Sequence, residues 1–233
     1  MGKLLKADLH LHTSDAPMDA VGHSPRCLID HVAALGFEVV SMTEHEHFGF
    51  NPEIAAYAES KGVLLIPGVE AKIEEKHVVI LNATKEAASL KTREELRAYR
   101  ESHPNSFILA VHPFYPGKKC LGDELEHNID LFDGVEYCHY YSPWLNGPNR
   151  RAAEVAARHG KPLVGTSDAH LLVQIGRTYT LVDAEKTANG VIEAMKQGKS
   201  RLVTSPFPLL MCVWIIAQMT IANIIHGKNA KPA

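Results

Sequence analysis

Short apolar runs alternate along the chain with stretches in which apolar residues recur at helical spacing. The apolar runs predict seven strands, over Leu4–Leu9, Glu38–Met42, Val63–Pro67, Val78–Asn82, Phe107–Val111, Gly134–Cys138 and Pro162–Gly165. The stretches of helical spacing predict five helices, over Pro25–Leu35, Pro52–Lys61, Thr92–Ser102, Pro148–His159 and Ala188–Gln197. Because these elements alternate with short connections, the pattern favours a parallel sheet with helices packed outside it.

Residues that begin and end helices support these boundaries. Ser24 precedes Pro25, which is the order of an N-cap residue and a proline at the first helical position. Gly36 and Gly160 stand where two of the helices should end. Since no linker or repeat interrupts the pattern, we interpret residues 1–205 as one domain and residues 206–233 as a C-terminal segment.

The C-terminal segment differs from the rest of the chain. Phe207–Ile225 carries no charge and consists mainly of Leu, Ile, Met, Val and Trp, which predicts an apolar helix before a short basic tail. The stretch is about as long as a membrane span, for which roughly 20 apolar residues are needed, but its amides (Gln218 and Asn223) are unusual in a span. We favour a buried or interface helix, with a membrane or oligomer contact through 207–225 as the alternative.

The composition of the 233 residues is that of a globular protein, with 45% hydrophobic and 22% charged residues. A formal net charge of −3 provides no basic surface, so we expect no stable nucleic-acid partner. The four cysteines form no C-x-x-C pair and the N-terminus lacks the apolar core of a secretion signal, which predicts a cytoplasmic protein with free thiols. The unusual figure is 14 histidines, because histidine is the commonest metal ligand.

Histidines and acidic residues stand at the ends of six predicted strands. The first strand ends in DLHLH, in which His10 and His12 point to the same side of an extended chain and can hold one ion. The other five end in TEHEH, PGVE, VHP, His139 and TSDAH. In a barrel the strand ends meet at one rim, where such folds place their functional sites. The repeated position therefore predicts a site, although any single motif would be weak evidence.

The residue types indicate the chemistry of this site. Imidazole and carboxylate without thiolate are typical of catalytic zinc, manganese or iron centres. The candidate ligands outnumber those that one ion needs, so we expect two or three ions with Glu70 as the bridging carboxylate. Closely spaced ions activate water and bind both oxygens of an in-line displacement, which is the usual design of phosphoesterases.

In order and spacing these motifs resemble those of the PHP family (polymerase and histidinol phosphatase) of metal-dependent phosphoesterases. The matching segments are DLHLHT, the helix that begins with Ser24 and Pro25, MTEHEH, PGVE, VHP, GVEYCH, GTSDAH and GRTYTLV. The resemblance implies an α/β fold, a distorted seven-stranded (β/α)7 TIM-like barrel with the apolar C-terminal helix added to it.

The family pattern also implies three groups of ligands. The first ion would be held by His10, His12, Glu70 and Asp168. The second would share Glu70 and take His112 and His139. The third would take His45, His170 and a residue in the loop after His12, for which we choose Asp19 over Asp15 and His23 because of its distance from the next helix. Many relatives have Asn in place of His139, which leaves two ions as an alternative to three.

Three further side chains are candidates for catalysis. Glu44 replaces the family's usual Asp and would orient a ligand histidine or move a proton. His47 would orient substrate or move a proton, and the capping of a loop is an equally favoured role. Arg177 has the planar guanidinium that suits phosphate, with a surface ion pair as the competing interpretation. His77 opens an apolar strand, and we interpret it as structural.

The sequence therefore predicts a hydrolase that cleaves a small-molecule phosphate ester with a metal-activated water. The implied cofactors are two or three divalent ions (Zn, Mn or Fe), and the expected partner is a small phosphorylated substrate. The main alternative is an amidohydrolase-like enzyme that acts on a C–N bond, since strand-end metals serve both chemistries. A 3′–5′ exonuclease is a weaker alternative, and a non-enzymatic module with one structural metal is opposed by the size of the ligand set.

Overall fold

The computed structural model describes residues 3–16, 18 and 20–229. Its α-helices are α1 (Pro25–Ala34), α2 (Pro52–Ser60), α3 (Arg93–Ser102), α4 (Glu124–His127), α5 (Gly147–Arg158), α6 (Ala188–Lys196) and α7 (Leu209–Asn229). Side-chain caps fix where several of them begin. The Ser24 hydroxyl accepts a hydrogen bond from the Cys27 N–H at the start of α1, and the Asn51 side chain accepts one from Ile54 at the start of α2. The five helices predicted from spacing form within one residue of their predicted ends.

The strands form two five-stranded sheets. They are β1 (Lys3–Leu11), β2 (Val39–Met42), β3 (Leu64–Leu65), β4 (Gly68–Ile73), β5 (Lys76–Leu81), β6 (Phe107–Ala110), β7 (Gly134–Cys138), β8 (Leu163–Thr166), β9 (Thr178–Ala184) and β10 (Ser200–Thr204). The first sheet has the order β10-β9-β1-β2-β3, and the second has the order β4-β5-β6-β7-β8. The protein is therefore a mixed α/β fold.

The expectation of one parallel, seven-stranded barrel needs correction. Strands β1 to β3 are parallel and so are β6 to β8, but β9 and β10, like β4 and β5, run antiparallel to their neighbours. Among the described residues the ladders remain two sheets, joined by single bridges at Leu11–Ala169 and His45–Glu70, and do not close into one barrel. The sequence pattern missed β4, β9 and β10 because polar side chains interrupt their apolar residues.

The two sheets share one apolar interior. Leu5 and Val182 of the first sheet belong to the same buried cluster as Val79 and Leu109 of the second, and Met195 of α6 completes it. A second cluster packs α1 and α2 on the outside of the first sheet, and a third packs α3 and α5 on the outside of the second. The sheets therefore face each other with helices outside them, and their shared end carries the polar residues described below.

Gly68 allows the second sheet to begin directly against the first. A Cβ atom at this position would lie 2.1 Å from Ser41 Oγ and 2.8 Å from Thr43 Cγ2, both closer than such atoms can approach. Only glycine fits this contact between the start of β4 and the end of β2. The close approach brings Glu70, two residues further along β4, into a bridge with His45.

Helix α7 attaches to this body through few buried side chains. Phe207, Cys212 and Ile215 form a small buried cluster against which Tyr140 packs. Most other large side chains of the helix are exposed, including Leu210 at 84% and Ile216 at 52%. A search of the described helices for a segment long and apolar enough to cross a membrane finds none.

Candidate metal centre

Four side chains that the family pattern groups together meet at one point. The His10 Nε2 atom, at the end of β1, lies 3.3 Å from Glu70 Oε2 and 3.4 Å from Asp168 Oδ1. The His12 Nε2 atom lies 3.4 Å and 3.2 Å from the same two oxygens. The structure thus brings two imidazoles and two carboxylates within reach of a single cation.

Glu70 is the common partner of the surrounding histidines. Besides its contacts with His10 and His12, its Oε2 atom lies 2.9 Å from His45 Nε2. Its other oxygen, Oε1, lies 2.6 Å from His77 Nδ1 and 3.2 Å from His112 Nε2. One buried carboxylate therefore faces five imidazoles, with each oxygen directed to a different group of them. This is the arrangement expected of a bridging ligand.

The backbone is strained where it presents two of these donors. His112 has φ of 31° and Asp168 has φ of 43°, a left-handed region that residues other than glycine rarely adopt. The turn before Asp168 is tied to β1, because the Asp8 carboxylate accepts a hydrogen bond of 3.0 Å from the Ser167 N–H. Strain of this kind persists where the surrounding structure holds it, and it is concentrated at functional sites.

The donor atoms fall into three overlapping groups whose ligand atoms lie within 4.8 Å of one another. These groups are His10, His12 and Glu70; His45, Glu70 and His77; and His12, His45 and His170. Within the described chain, His10 Nε2 and Glu70 Oε2 are buried and make no hydrogen bond, although both are directed into the cluster. Buried polar atoms without a hydrogen bond are costly, so the donor set fits a bound divalent ion.

Burial and mutual contacts shift the ionisation of these groups strongly. Burial favours a neutral Glu70, yet the neighbouring His45 and His10 outweigh it and hold the pKa of Glu70 well below its usual range. Burial also opposes charge on His10, but Asp168, Glu70 and Glu136 raise its pKa well above the usual value. At His12 burial prevails, assisted by His170, and lowers the pKa to about 3. Glu70 thus stays ionised and His12 stays neutral, as metal ligands must, whereas His10 holds a proton that a bound ion would displace.

Glu44 lies behind the cluster and not at its opening. The buried Glu44 carboxylate accepts hydrogen bonds from the Thr13 N–H at 3.0 Å and from the Thr13 hydroxyl at 2.5 Å. Its Oε2 atom lies 3.8 Å from His12 Nδ1, on the side of the ring away from Glu70. This placement suits orientation of His12 and the loop after it. His47 belongs to none of the three groups of donors among the described residues.

The remaining predicted site residues are placed differently. His139 follows β7 and is buried, but its Nε2 atom lies 2.9 Å from the Gln174 amide nitrogen, which donates to it, and burial lowers its pKa to about 4. Arg177 donates to the Pro206 carbonyl oxygen at 3.1 Å, and its guanidinium lies over the Phe207 ring. Asp19 falls outside the described residues. Its competitor His23 lies 2.9 Å from the His12 carbonyl oxygen through Nε2.

Two residues at the centre were missed or misjudged from sequence. His77, interpreted as structural, contacts Glu70 as closely as any histidine of the cluster. The available signal was a histidine at the start of the apolar strand that follows PGVE, where relatives of the PHP family often have one as well. Glu136 was not considered, although an acidic residue inside the apolar strand GVEYC is unusual and is completely buried.

Comparison with known proteins gives a match to a family model and a relative in sequence. Residues 146–200 match a family model described as PHP-associated. An uncharacterised protein of Methanocaldococcus jannaschii is 29% identical over 147 residues, which cover 59% of this chain and 83% of that protein.

Several solved structures share the fold. A two-domain protein of Bacteroides vulgatus, described as containing a predicted PHP-like metal-dependent phosphoesterase, has a TM-score of 0.67 at 20% identity over 87% of this chain and 65% of its own. PsfC from Pseudomonas syringae has a TM-score of 0.62 at 18% identity over 97% and 99% of the two chains. The lesion-specific endonuclease Q of Pyrococcus furiosus has a TM-score of 0.61 at 17% identity over 92% and 66%. This chain thus spans just under two thirds of the Bacteroides and Pyrococcus proteins.

The α/β fold is thus shared with a protein described as PHP-like, and its cluster of imidazole and carboxylate donors could hold divalent ions. The match of residues 146–200 to the PHP-associated model is in keeping with the resemblance to the PHP family that the motifs indicate.

Proposed function

We propose that this protein is a metal-dependent phosphoesterase that hydrolyses a small-molecule phosphate ester in a centre of two or three divalent ions. The observation that supports this most directly is Glu70, a buried carboxylate in contact with five histidines. A structural metal site needs only four closed ligands, whereas this set exceeds the needs of one ion. Multinuclear centres of this composition suit displacement at phosphorus.

The residues that would hold the ions follow from the donor groups. His10, His12 and Asp168 face Glu70 from one side, and His45, His77 and His112 face it from the others. His170 joins His12 and His45 in a further group. Divalent ions bound there would supply charge neutralisation for the phosphoryl oxygens and activation of water for attack on phosphorus.

The chain itself determines from which side a substrate would approach. His10, His12 and Glu70 are buried, whereas the side chains of Asp168, His45, His112 and His170 are partly exposed. The cluster therefore opens toward solvent where these four residues lie. Buried donors behind them keep water away from the rear of the centre, and Glu44 holds the loop after His12 in place.

Arg177 could bind a phosphate group of the substrate only if its side chain left its present contacts. Its guanidinium is already occupied by the Pro206 carbonyl and the Phe207 ring. We therefore propose that the charge of the phosphoryl group is balanced mainly by the ions, and that the role predicted for Arg177 is secondary. Replacement of Arg177 by Lys or Ala should therefore change KM more than kcat.

The proposal is tested by a screen of phosphomonoesters and phosphodiesters on metal-free protein and on protein loaded with Mn²⁺, Zn²⁺ or Fe²⁺. Metal-dependent release of phosphate, or of an alcohol from a diester, is the expected result. The panel also contains N-acyl substrates and a DNA duplex with an abasic site. Turnover of an N-acyl substrate alone would favour the amidohydrolase alternative, and cleavage of the duplex alone would favour a nuclease. No turnover of any ester with metal bound would refute the proposal.

A further inference from the structure

Glu136 is a buried acid that the predicted ligand sets leave without a role. It lies in the middle of β7, between apolar neighbours, and its exposed fraction is 0%. Burying a carboxylate in an apolar sheet is costly unless hydrogen bonds satisfy both of its oxygens. The hydrogen-bond partners of this side chain therefore indicate its role.

Three donors from three different elements satisfy the carboxylate. Its Oε1 atom lies 2.8 Å from His10 Nδ1 in β1 and accepts a hydrogen bond of 2.5 Å from the Thr166 hydroxyl in β8. Its Oε2 atom accepts a hydrogen bond of 2.5 Å from the backbone N–H of His112, just after β6. Two of these three donors belong to residues of the metal centre.

The contact with His10 determines which ring nitrogen is available to a metal. Since a carboxylate only accepts hydrogen bonds, the Nδ1 atom of His10 must carry the proton. The opposite nitrogen, Nε2, then faces the cluster, 3.3 Å from Glu70 Oε2 and 3.4 Å from Asp168 Oδ1, and it is the ring atom that can bind an ion in place of a proton. A partner on the second nitrogen is the usual means by which proteins orient a ligand histidine.

The contact with His112 holds the backbone instead of the ring. His112 has a φ of 31°, a strained conformation that a hydrogen bond to its N–H helps to maintain. In this conformation its Nε2 atom lies 3.2 Å from Glu70 Oε1. One carboxylate therefore acts on two histidines that approach Glu70 on different oxygens.

We propose that Glu136 is a positioning residue of the metal centre, which fixes the tautomer of His10 and the backbone of His112 so that both Nε2 atoms face Glu70. The inference rests on the proposed function in that the centre binds divalent ions. It assigns Glu136 no direct contact with metal or substrate.

The matched test is Glu136→Gln, with Asp133→Asn as the control. Glutamine has the same shape, but its amide has only one acceptor oxygen and cannot accept from the His10 and His112 sides together. Asp133 stands just before the same strand. Its carboxylate accepts a hydrogen bond from the Ile108 N–H at 2.9 Å and forms an ion pair with Arg100. Asp133→Asn therefore also removes the charge and one acceptor oxygen of a carboxylate that binds a backbone N–H, but away from the metal centre.

We expect Glu136→Gln to lower the affinity for Mn²⁺ and Zn²⁺ by 10- to 100-fold, roughly the range found for partners of ligand histidines, as measured by calorimetric titration. Asp133→Asn should leave the affinity unchanged. Excess metal should restore bound metal, and any esterase activity, to the Glu136→Gln protein. Wild-type affinity in Glu136→Gln, or an equal loss in Asp133→Asn, would overturn the proposal.

A second measurement uses the wild-type protein and does not depend on whether the variant folds. In ¹⁵N-resolved NMR spectra of the metal-free wild-type protein, His10 should show a proton on Nδ1 that exchanges slowly with water. A proton on Nε2 alone would overturn the proposal. Failure of the wild-type protein to bind any divalent ion would instead refute the proposed function, while this spectrum would still decide whether Glu136 orients His10.

Discussion

The metal centre and helix α7 depart from the usual distribution of residues in opposite directions. The centre is polar and buried, with His10, His12 and Glu70 each at most 1% exposed. Helix α7 is apolar and largely exposed, with Leu210 at 84%. Charged and ionisable groups are seldom fully buried, and contiguous exposed apolar surface is equally unusual.

The two regions differ in the contacts that stabilise them. The buried groups of the centre satisfy one another through opposite charges and hydrogen bonds, with carboxylates from several strands directed at the imidazoles. Helix α7 is held mainly by the small cluster around Ile215. The centre should therefore respond strongly to single substitutions and to pH, whereas α7 should respond only at its few buried positions. The suggestion that 207–225 contacts a membrane or a second copy stays a prediction.

The largest effect is expected for Glu70→Gln. The substitution removes the charge that faces five histidines, so bound metal and phosphoesterase turnover should both fall by at least about 100-fold. Metal analysis of the purified protein and the ester screen measure the two quantities. The control is Glu75→Gln on the same hairpin, where the side chain is 80% exposed and pairs with Lys72. Retention of full metal content in Glu70→Gln would show that Glu70 is not a ligand.

Acid should destabilise the metal-free protein. Burial lowers the pKa of His12 to about 3 and that of His139 to about 4. The unfolded chain therefore binds protons at these residues at a higher pH than the folded chain, so their contribution to stability is complete above about pH 6.5 and decreases as the pH falls toward 4. Burial raises the pKa of Asp8 to about 7, which acts in the opposite direction over part of this range.

Thermal unfolding at about pH 6 and 5 measures the balance, because below about pH 6.5 the raised pKa of His10 leaves that residue protonated in both states. Over this step two histidines oppose one aspartate, so we expect Tm to be lower at pH 5 than at pH 6. A Tm that is constant or increases toward pH 5 would contradict the prediction, and His139→Gln should make the decrease shallower.

The next effect concerns the attachment of α7. Ile215→Ala removes a completely buried side chain from the small cluster and should lower the free energy of unfolding by about 2–4 kcal/mol. Leu210→Ala on the exposed side of the same helix should change it by less than about 0.5 kcal/mol. Denaturant titration of both variants makes the comparison. Equal effects would mean that the exposed side of α7 is covered in solution.

Gly68→Ala should lower the free energy of unfolding somewhat less than Ile215→Ala, by about 1–3 kcal/mol, because the added methyl meets Ser41 and Thr43. Since Gly68 precedes Glu70 in β4, metal affinity should fall as well. The control Gly147→Ala adds a methyl where no other atom lies within 4 Å, and it should leave both quantities unchanged. If Gly68→Ala leaves the metal affinity unchanged, the close packing at Gly68 does not determine the position of Glu70.

The sequence predicted the helices and the neighbourhood of the site well, for physical reasons. Ser24, Pro25 and Asn51 are local signals for helix ends, which do not depend on distant contacts. The strand-end motifs predicted which donors would be near one another, and the structure places His10, His12, Glu70 and Asp168 together.

The failures arise where long-range contacts override local pattern. Strand β4 carries Glu70 and Lys72 in place of a continuous apolar run, so only its pairing with β5 reveals it. The roles of His77, Glu136 and Gln174 depend on side chains brought close by folding, which no local spacing could show.

The hydrogen bond between Asp8 and Ser167 joins residues 159 positions apart. During synthesis on the ribosome, the first strand and its two histidines emerge long before Asp168 and His170 can reach them. The centre can therefore assemble only when most of the polypeptide has been made, and premature loading of a nascent chain with metal would have to involve a different set of ligands.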